Sequence, residues 1–122
     1  MANKRGIWRL SGILLAATGG LHIAVGLVMG WEHYVDIVRA GFINAIGMDF
    51  VRAFAEWFFM FGVLLLLFGL VLHHYIRRTG EPAPRFVGWW LLVMGIVGAA
   101  LEPISGYWLV IPQGLIILRA KK

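Results

Sequence analysis

Three ionisable side chains lie inside or at the ends of long apolar stretches of this sequence: His22, Glu56 and Glu102. Placing such a group in a bilayer costs about 2.5–3.5 kcal/mol on insertion scales, so each one needs a physical reason to be there. A histidine and a carboxylate in a low-dielectric pocket suit proton transfer, because burial brings the proton affinities of the two groups together. We therefore take these three as the candidate catalytic residues.

Four further side chains are candidates for ligand binding. Gln113 follows Pro112 in the last apolar run, where proline leaves a backbone carbonyl free and the glutamine adds a donor and an acceptor. Structural roles stay open for all of these positions, including an ion pair between residues 52 and 56, an inter-helix hydrogen bond from residue 22, and contact with water at residue 102. The candidate ligand-binding residues are Arg52, Tyr107, Trp108 and Gln113.

Metal and cofactor chemistry is not indicated. The chain has no cysteine, and no H-x-x-E-H, H-E-x-x-H or E-x-x-H spacing occurs in it. We therefore predict no metal site and no cofactor. It also has no nucleophile elbow and no phosphate-binding glycine loop. Two possibilities remain: acid–base catalysis on a lipophilic substrate, by an isomerase, hydrolase or cyclase, or binding without catalysis. The sequence does not decide whether the protein is an enzyme.

The elements that position these residues are predicted from apolar blocks. Apolar residues make up 61% of the 122 residues and charged residues only 14%, which a soluble domain has no means of covering. The length allows one domain, spanning 1–122. We predict an all-α integral membrane protein, a bundle of four transmembrane helices at Leu10–Met29, Ala53–Leu72, Phe86–Leu101 and Ile104–Leu118.

The basic residues predict the orientation. They cluster at alternate ends of the apolar blocks, which is the positive-inside pattern and argues against nucleic-acid binding. Both termini are therefore expected in the cytoplasm, with the chain multi-pass in the cytoplasmic (inner) membrane. The first block is too long for a cleaved signal peptide and is expected to be retained. The clusters are Lys4, Arg5 and Arg9; Arg77, Arg78 and Arg85; and Arg119, Lys121 and Lys122.

The outer loop between helices 1 and 2 is predicted to contain a short amphipathic helix. Trp31, Tyr34 and Val38 recur at helical spacing, with Glu32 and Asp36 on the opposite face. Such a helix lies on the membrane surface. It is either a plain connector or a lid over a pocket.

With this topology the three candidate catalytic residues occupy one layer in the outer half of the bilayer. At 1.5 Å per residue, His22 is about 10 Å and Glu56 about 5 Å below the outer surface. Glycines share the helical stripes of His22 and Glu102, so both are expected to face the bundle interior. We predict a pocket for a lipophilic small molecule. A proton-coupled transporter or channel subunit, and an accessory subunit of a larger complex, are the alternatives. So small a bundle has glycine-rich helix faces that its own helices do not cover, and these faces predict a homo-oligomer.

Three segments carry a family resemblance. They are Phe54-Ala55-Glu56-Trp57-Phe58-Phe59, followed by Gly62 and Gly69; Pro84-Arg85-Phe86-Val87-Gly88; and Glu102-Pro103-Ile104-Ser105-Gly106-Tyr107-Trp108-Leu109, followed by Pro112. The chain resembles a family of small four-helix bacterial membrane proteins of unknown function, which implies the fold but no activity. Small multidrug resistance transporters match in size and helix count, but they carry a glutamate in helix 1 where this chain carries His22.

Overall fold

A computed structural model describes residues 6–121 and contains five α-helices and no β-strand in that range. The prediction of an all-α protein is confirmed, and the short helix predicted between the first two apolar helices is present. Lys4, Arg5 and Lys122, which contributed to the predicted orientation, lie outside the described residues. After a 3-10 turn at Ile7–Leu10, the helices are α1 (Ser11–Met29), α2 (Trp31–Arg39), α3 (Phe50–Thr79), α4 (Arg85–Leu101) and α5 (Tyr107–Leu118).

Two of these helices are long and apolar enough to cross a membrane. The first, α1 with its preceding turn, has 23 residues, and α3 has 30. Only 28% and 22% of their most apolar windows are buried inside the chain, whereas a core helix of a soluble protein is mostly buried. These features favour association with a membrane. Helices α4 and α5 are apolar but shorter, with 17 and 12 residues, so only two of the four predicted spans have the length for a full crossing.

The ends of α3 are set by local signals. At its start, Oδ1 of Asp49 accepts hydrogen bonds from the backbone N–H groups of Val51 (3.0 Å) and Arg52 (3.1 Å), which is an N-cap. At its end, Gly80 adopts a left-handed conformation with φ of 68° and donates its N–H to the carbonyl of Ile76. The helix therefore begins before and ends well after the predicted span of Ala53–Leu72.

Helices α1 and α3 form a close pair because glycines line their contact. A β-carbon built on Gly19 would lie 2.8 Å from Cα of Leu66 and 2.9 Å from the carbonyl oxygen of Gly62. One built on Gly69 would lie 2.8 Å from the carbonyl oxygen of Gly12. Small residues let two helix backbones approach in this way, which is how membrane helices associate.

Helices α4 and α5 form a second close pair, also through glycines. A β-carbon on Gly114 would lie 2.8 Å from the carbonyl oxygen of Gly88, and one on Gly88 would lie 3.0 Å from that of Gly114. The turn Glu102–Gly106 joins the two helices into a hairpin. The second pair meets the first mainly through α5 and α1.

The two pairs share a core at one end and separate at the other. No Cα atom of α3 comes within 8 Å of a Cα atom of α4, so a gap runs between these helices. The gap is closed by apolar side chains near the α3–α4 connection and widens towards the α4–α5 turn. The residues of the shared core are Trp8, Leu15, Leu65, Leu72, Ile76, Ala83, Val87, Leu91, Val110 and Ile117.

A hydrogen bond connects α2 to the start of α3. The hydroxyl of Tyr34 donates it to the carbonyl oxygen of Ala55 at 2.8 Å. Burial raises the pKa of Tyr34 above its ordinary value of 10.0. The folded protein therefore holds this proton more tightly than the unfolded chain does. The stability that follows from it is fully present below pH 10 and is lost as the pH rises through the raised pKa.

We accordingly expect alkaline pH to destabilise the wild-type protein more than Tyr34→Phe. At about pH 8 the variant is less stable than the wild type, since it lacks the hydrogen bond. Its stability falls less than that of the wild type between about pH 8 and about pH 11. Thermal unfolding in one detergent at both pH values measures the two slopes. Parallel slopes for the two proteins would show that Tyr34 does not carry this pH dependence.

Candidate functional site

A cleft of about 540 Å³ opens between the two helix pairs, on the side where α3 and α4 separate. Its wall is mostly apolar, with a few polar groups towards the α4–α5 turn. It is built from α1, α3, the end of α4, the turn and the start of α5. The lining residues are Thr18, Leu21, His22, Val25, Met29, Phe54, Trp57, Phe58, Phe61, Leu65, Met94, Glu102, Ile104, Ser105, Gly106, Tyr107, Leu109 and Val110.

His22 reaches the cleft from the middle of α1. Its ring stacks on Phe58, with centroids 3.9 Å apart and an angle of 16°, and meets the edge of Phe61 at 5.3 Å. Its Nε2 atom is buried and has no hydrogen-bond partner among the described residues. Leaving such an atom unpaired costs about 1–3 kcal/mol.

Glu102 and Tyr107 reach the cleft from the opposite helix pair. Glu102 directly follows α4 as its C-cap, with its N–H donated to the carbonyl of Gly98, and the residue is exposed. The ring of Tyr107 packs directly on Gly98, where a β-carbon would lie 2.5 Å from Cε1 of the tyrosine. A glycine at position 98 is therefore what lets this ring lie against α4.

Gln113 joins the two helix pairs and does not line the cleft. Its Nε2 donates a 2.6 Å hydrogen bond to Oγ1 of Thr18, which in turn donates to the carbonyl of Leu14 at 2.8 Å. The Oε1 atom of Gln113 is buried without a partner among the described residues. Its amide thus forms a bridge between α5 and α1, one helical turn before His22. The helix α5 continues through Pro112 without a break.

The other three predicted site residues lie outside the cleft lining. Arg52 donates from Nη1 to the carbonyl of Ala45 at 2.7 Å, and its Nε lies 3.5 Å from Oδ2 of Asp49. The arginine is thus engaged by the loop before α3, where the sequence had offered Glu56 as its partner. Glu56 is half-buried on α3. Trp108 is exposed and donates from Nε1 to the carbonyl of Pro103 at 2.9 Å.

The three candidate catalytic residues do not gather at one point. His22 and Glu102 share the cleft, and Glu56 does not line it. Within residues 6–121, no three His, Asp or Glu side chains come together in a group that could hold a metal ion. The arrangement offers one imidazole and one carboxylate on facing walls of an apolar cleft.

Sequence reasoning missed the aromatic wall of the cleft. Phe54, Trp57, Phe58 and Phe61, with Leu65 after them, form a stripe along α3. Their spacing of three, one, three and four residues is that of one helix face, so the pattern was available in the sequence. In the sequence, the aromatic residues of segment 54–59 carried only the family resemblance, and no binding surface was predicted from them.

The match to known families covers nearly all of this architecture. A model of a family of unknown function, DUF6463, matches residues 6–122. The chain belongs to this family. The resemblance to a family of unknown function is thereby confirmed, and the DUF6463 match takes in all five helices and the cleft. A search of curated proteins and a search of solved structures find no match to the chain. Membership in DUF6463 brings no activity with it, so the function has to be argued from the cleft.

Proposed function

We propose that this DUF6463 protein binds a lipophilic small molecule in the cleft between its two helix pairs. The observation that carries the proposal is the combination of an apolar wall with His22 and Glu102 on opposite pairs. A volume of about 540 Å³ is within the usual range of small-molecule sites, which are mostly apolar with a few polar groups that fix orientation.

The proposal includes a multi-pass arrangement in which all four apolar helices cross the membrane. Helices α4 and α5 would span about 26 Å and 18 Å, so they cross only where the bilayer is thin or drawn in around them. Arg77, Arg78 and Arg85 at the α3–α4 connection support a cytoplasmic position for that end. The cleft then opens in the outer half of the membrane. The homo-oligomer expected from the sequence stays a prediction.

Binding is favoured over transport by the packing at the other end of the molecule. Buried apolar side chains fill the space below the cleft, among them Leu72, Ile76 and Val87. A proton or ion path through the protein needs polar groups that continue across the membrane. Thr18 and Gln113 carry polar groups one helical turn deeper than His22. Beyond them, Ser11 and Nδ1 of His73 are buried polar groups of α1 and α3, so polar groups at the α3–α4 end are sparse beside the apolar core. Acid–base catalysis by His22 would need a substrate atom at its unpaired nitrogen.

Saturable photolabelling tests the proposed binding. The purified protein in nanodiscs of zwitterionic lipid is irradiated with a neutral long-chain alcohol that carries a diazirine on its chain, and labelled peptides are mapped. We expect labelling that excess unlabelled alcohol suppresses in segments 54–65 and 102–110. Peptides that only face lipid are expected to label without saturation. Uniform, non-saturable labelling of all apolar segments would rule the binding function out.

A further inference from the structure

The cleft continues into a second, wholly apolar groove between α3 and α4. This groove has a volume of about 270 Å³ and shares Phe61, Leu65 and Met94 with the cleft. Beyond these three it runs along Phe68 and Trp90, towards the closed end of the gap. The two together form one elongated space, with its polar groups at one end and only hydrocarbon and aromatic surface at the other.

The length of this space fits a single extended chain. From Glu102 to Trp90 along α4 is about 18 Å at 1.5 Å per residue. A zigzag hydrocarbon chain with bonds of about 1.5 Å advances roughly 1.3 Å per carbon, so about 14 carbons fill the distance. Leu64 and Trp90 line this groove and are exposed, so such a chain has a way in from the side.

The charge at the polar end selects the head group. Among the described residues that line the cleft, Glu102 carries a formal negative charge and none is Lys or Arg. The end of α4 adds a partial negative charge and the start of α5 a partial positive one, so these helix dipoles oppose each other and the carboxylate decides the sign. An anionic head group would meet repulsion from Glu102, and the cleft lining offers it His22 but no lysine or arginine.

The wall opposite the carboxylate is aromatic. Trp57, Phe58 and Phe61 line the same cleft as Glu102, and Tyr107 adds a fourth ring from the second helix pair. The faces of aromatic rings attract cations. One face of Phe58 is covered by the ring of His22, which leaves Trp57, Phe61 and Tyr107 to contact a cationic head group. Carboxylate and rings therefore favour the same sign of charge.

We propose that the ligand is a single-chain lipophilic cation, with its ammonium head beside Glu102 and its hydrocarbon chain in the α3–α4 groove. This inference rests on the proposed binding function and adds the chemical class of the ligand. The head is held by charge and by the aromatic wall, and the chain by burial of apolar surface between Phe61 and Met94.

Competition between matched amphiphiles tests the head group. Tetradecyltrimethylammonium, tetradecanol and tetradecyl sulfate are each titrated against the neutral photolabel, and the amount of each in the nanodisc is measured. We expect the ammonium compound to displace the label at a membrane concentration at least about fivefold lower than the alcohol, with the sulfate weakest. Tetramethylammonium, which has the head without the chain, is expected not to compete.

Two charge-matched variants locate the effect. Glu102→Gln is expected to remove the advantage of the ammonium compound over the alcohol, measured as the ratio of their displacing concentrations within that variant. Glu32→Gln makes the same charge change on exposed α2, outside the cleft lining, and is expected to keep the advantage. If saturable neutral labelling is itself absent, the binding function fails. If it is present but the head groups compete equally, or the advantage survives Glu102→Gln, the binding function stands and the cationic ligand is overturned.

Discussion

Gly19→Ala is expected to destabilise the protein strongly, whereas Gly20→Ala, at the next position, is expected to be neutral or stabilising. A β-carbon at position 19 meets the backbone of Leu66 and Gly62, and backbone atoms of a packed helix cannot move aside cheaply. A β-carbon at position 20 has no atom within 4 Å apart from its own helix and neighbours. The two variants therefore differ in contact with α3 and not in chemistry.

The expected sizes follow from two opposed effects. Overpacking against α3 costs about 3 kcal/mol, at the upper end of the usual range, because helices α1 and α3 must separate along their length. Replacing an unhindered glycine in a helix gains up to about 1 kcal/mol. Thermal unfolding followed by size-exclusion chromatography in one detergent compares the variants with the wild type. Equal midpoints for Gly19→Ala and Gly20→Ala would show that α1 and α3 do not approach as closely as described.

Met94→Trp is expected to weaken saturable labelling of the cleft strongly while the protein stays folded. Met94 lies where the cleft joins the α3–α4 groove, and it lines both. A tryptophan there fills space that the chain of a ligand must occupy, and a half-buried position at the edge of a cavity can accept the larger ring. We expect a loss of apparent affinity of about tenfold or more, equivalent to burying about two fewer methylenes.

Val93→Trp is the matched control. Val93 is the preceding residue, is 51% exposed, and lines neither space, so the added ring faces away from the cleft. It is expected to leave labelling unchanged. The labelled fraction of segment 54–65 as a function of photolabel concentration gives the apparent affinity of each variant. Unchanged affinity in folded Met94→Trp would place the ligand elsewhere than at this junction.

Hydropathy predicted the apolar helices but not their full extent. The end of α1 at Met29 agrees with the prediction, since Gly30 follows it. The start and end of α3 do not, because hydropathy detects only the part of a helix suited to lipid. The polar first and last turns of α3 are fixed by the cap at Asp49 and the left-handed Gly80. Helix α5 begins at Tyr107 and not at Ile104, because Ser105 and Gly106 belong to the turn.

The sequence did not predict which helices pack against each other. Glycine stripes marked the faces of α1 and α4 that approach another helix, but a glycine does not specify which helix comes close. The structure pairs Gly19 with Gly62, and Gly88 with Gly114. The same limit applies to the site. Depth in the membrane placed His22 and Glu102 in one layer, and both line the cleft, but direction around the helix axis separates Glu56 from them. The roles of all three stay predictions.

The two helix pairs meet mainly through α5 and α1, and this suggests an order in which they form during biosynthesis. The first pair is complete once Thr79 has been made, because its glycine contacts lie wholly within α1 and α3. The second pair is made afterwards and has its own internal contacts, so it can form as a hairpin before it meets the first. The bridge from Gln113 to Thr18 is then among the last contacts to form. A nascent chain therefore has no finished cleft until its final helix docks, and a molecule that occupies the cleft would stabilise that last step of assembly.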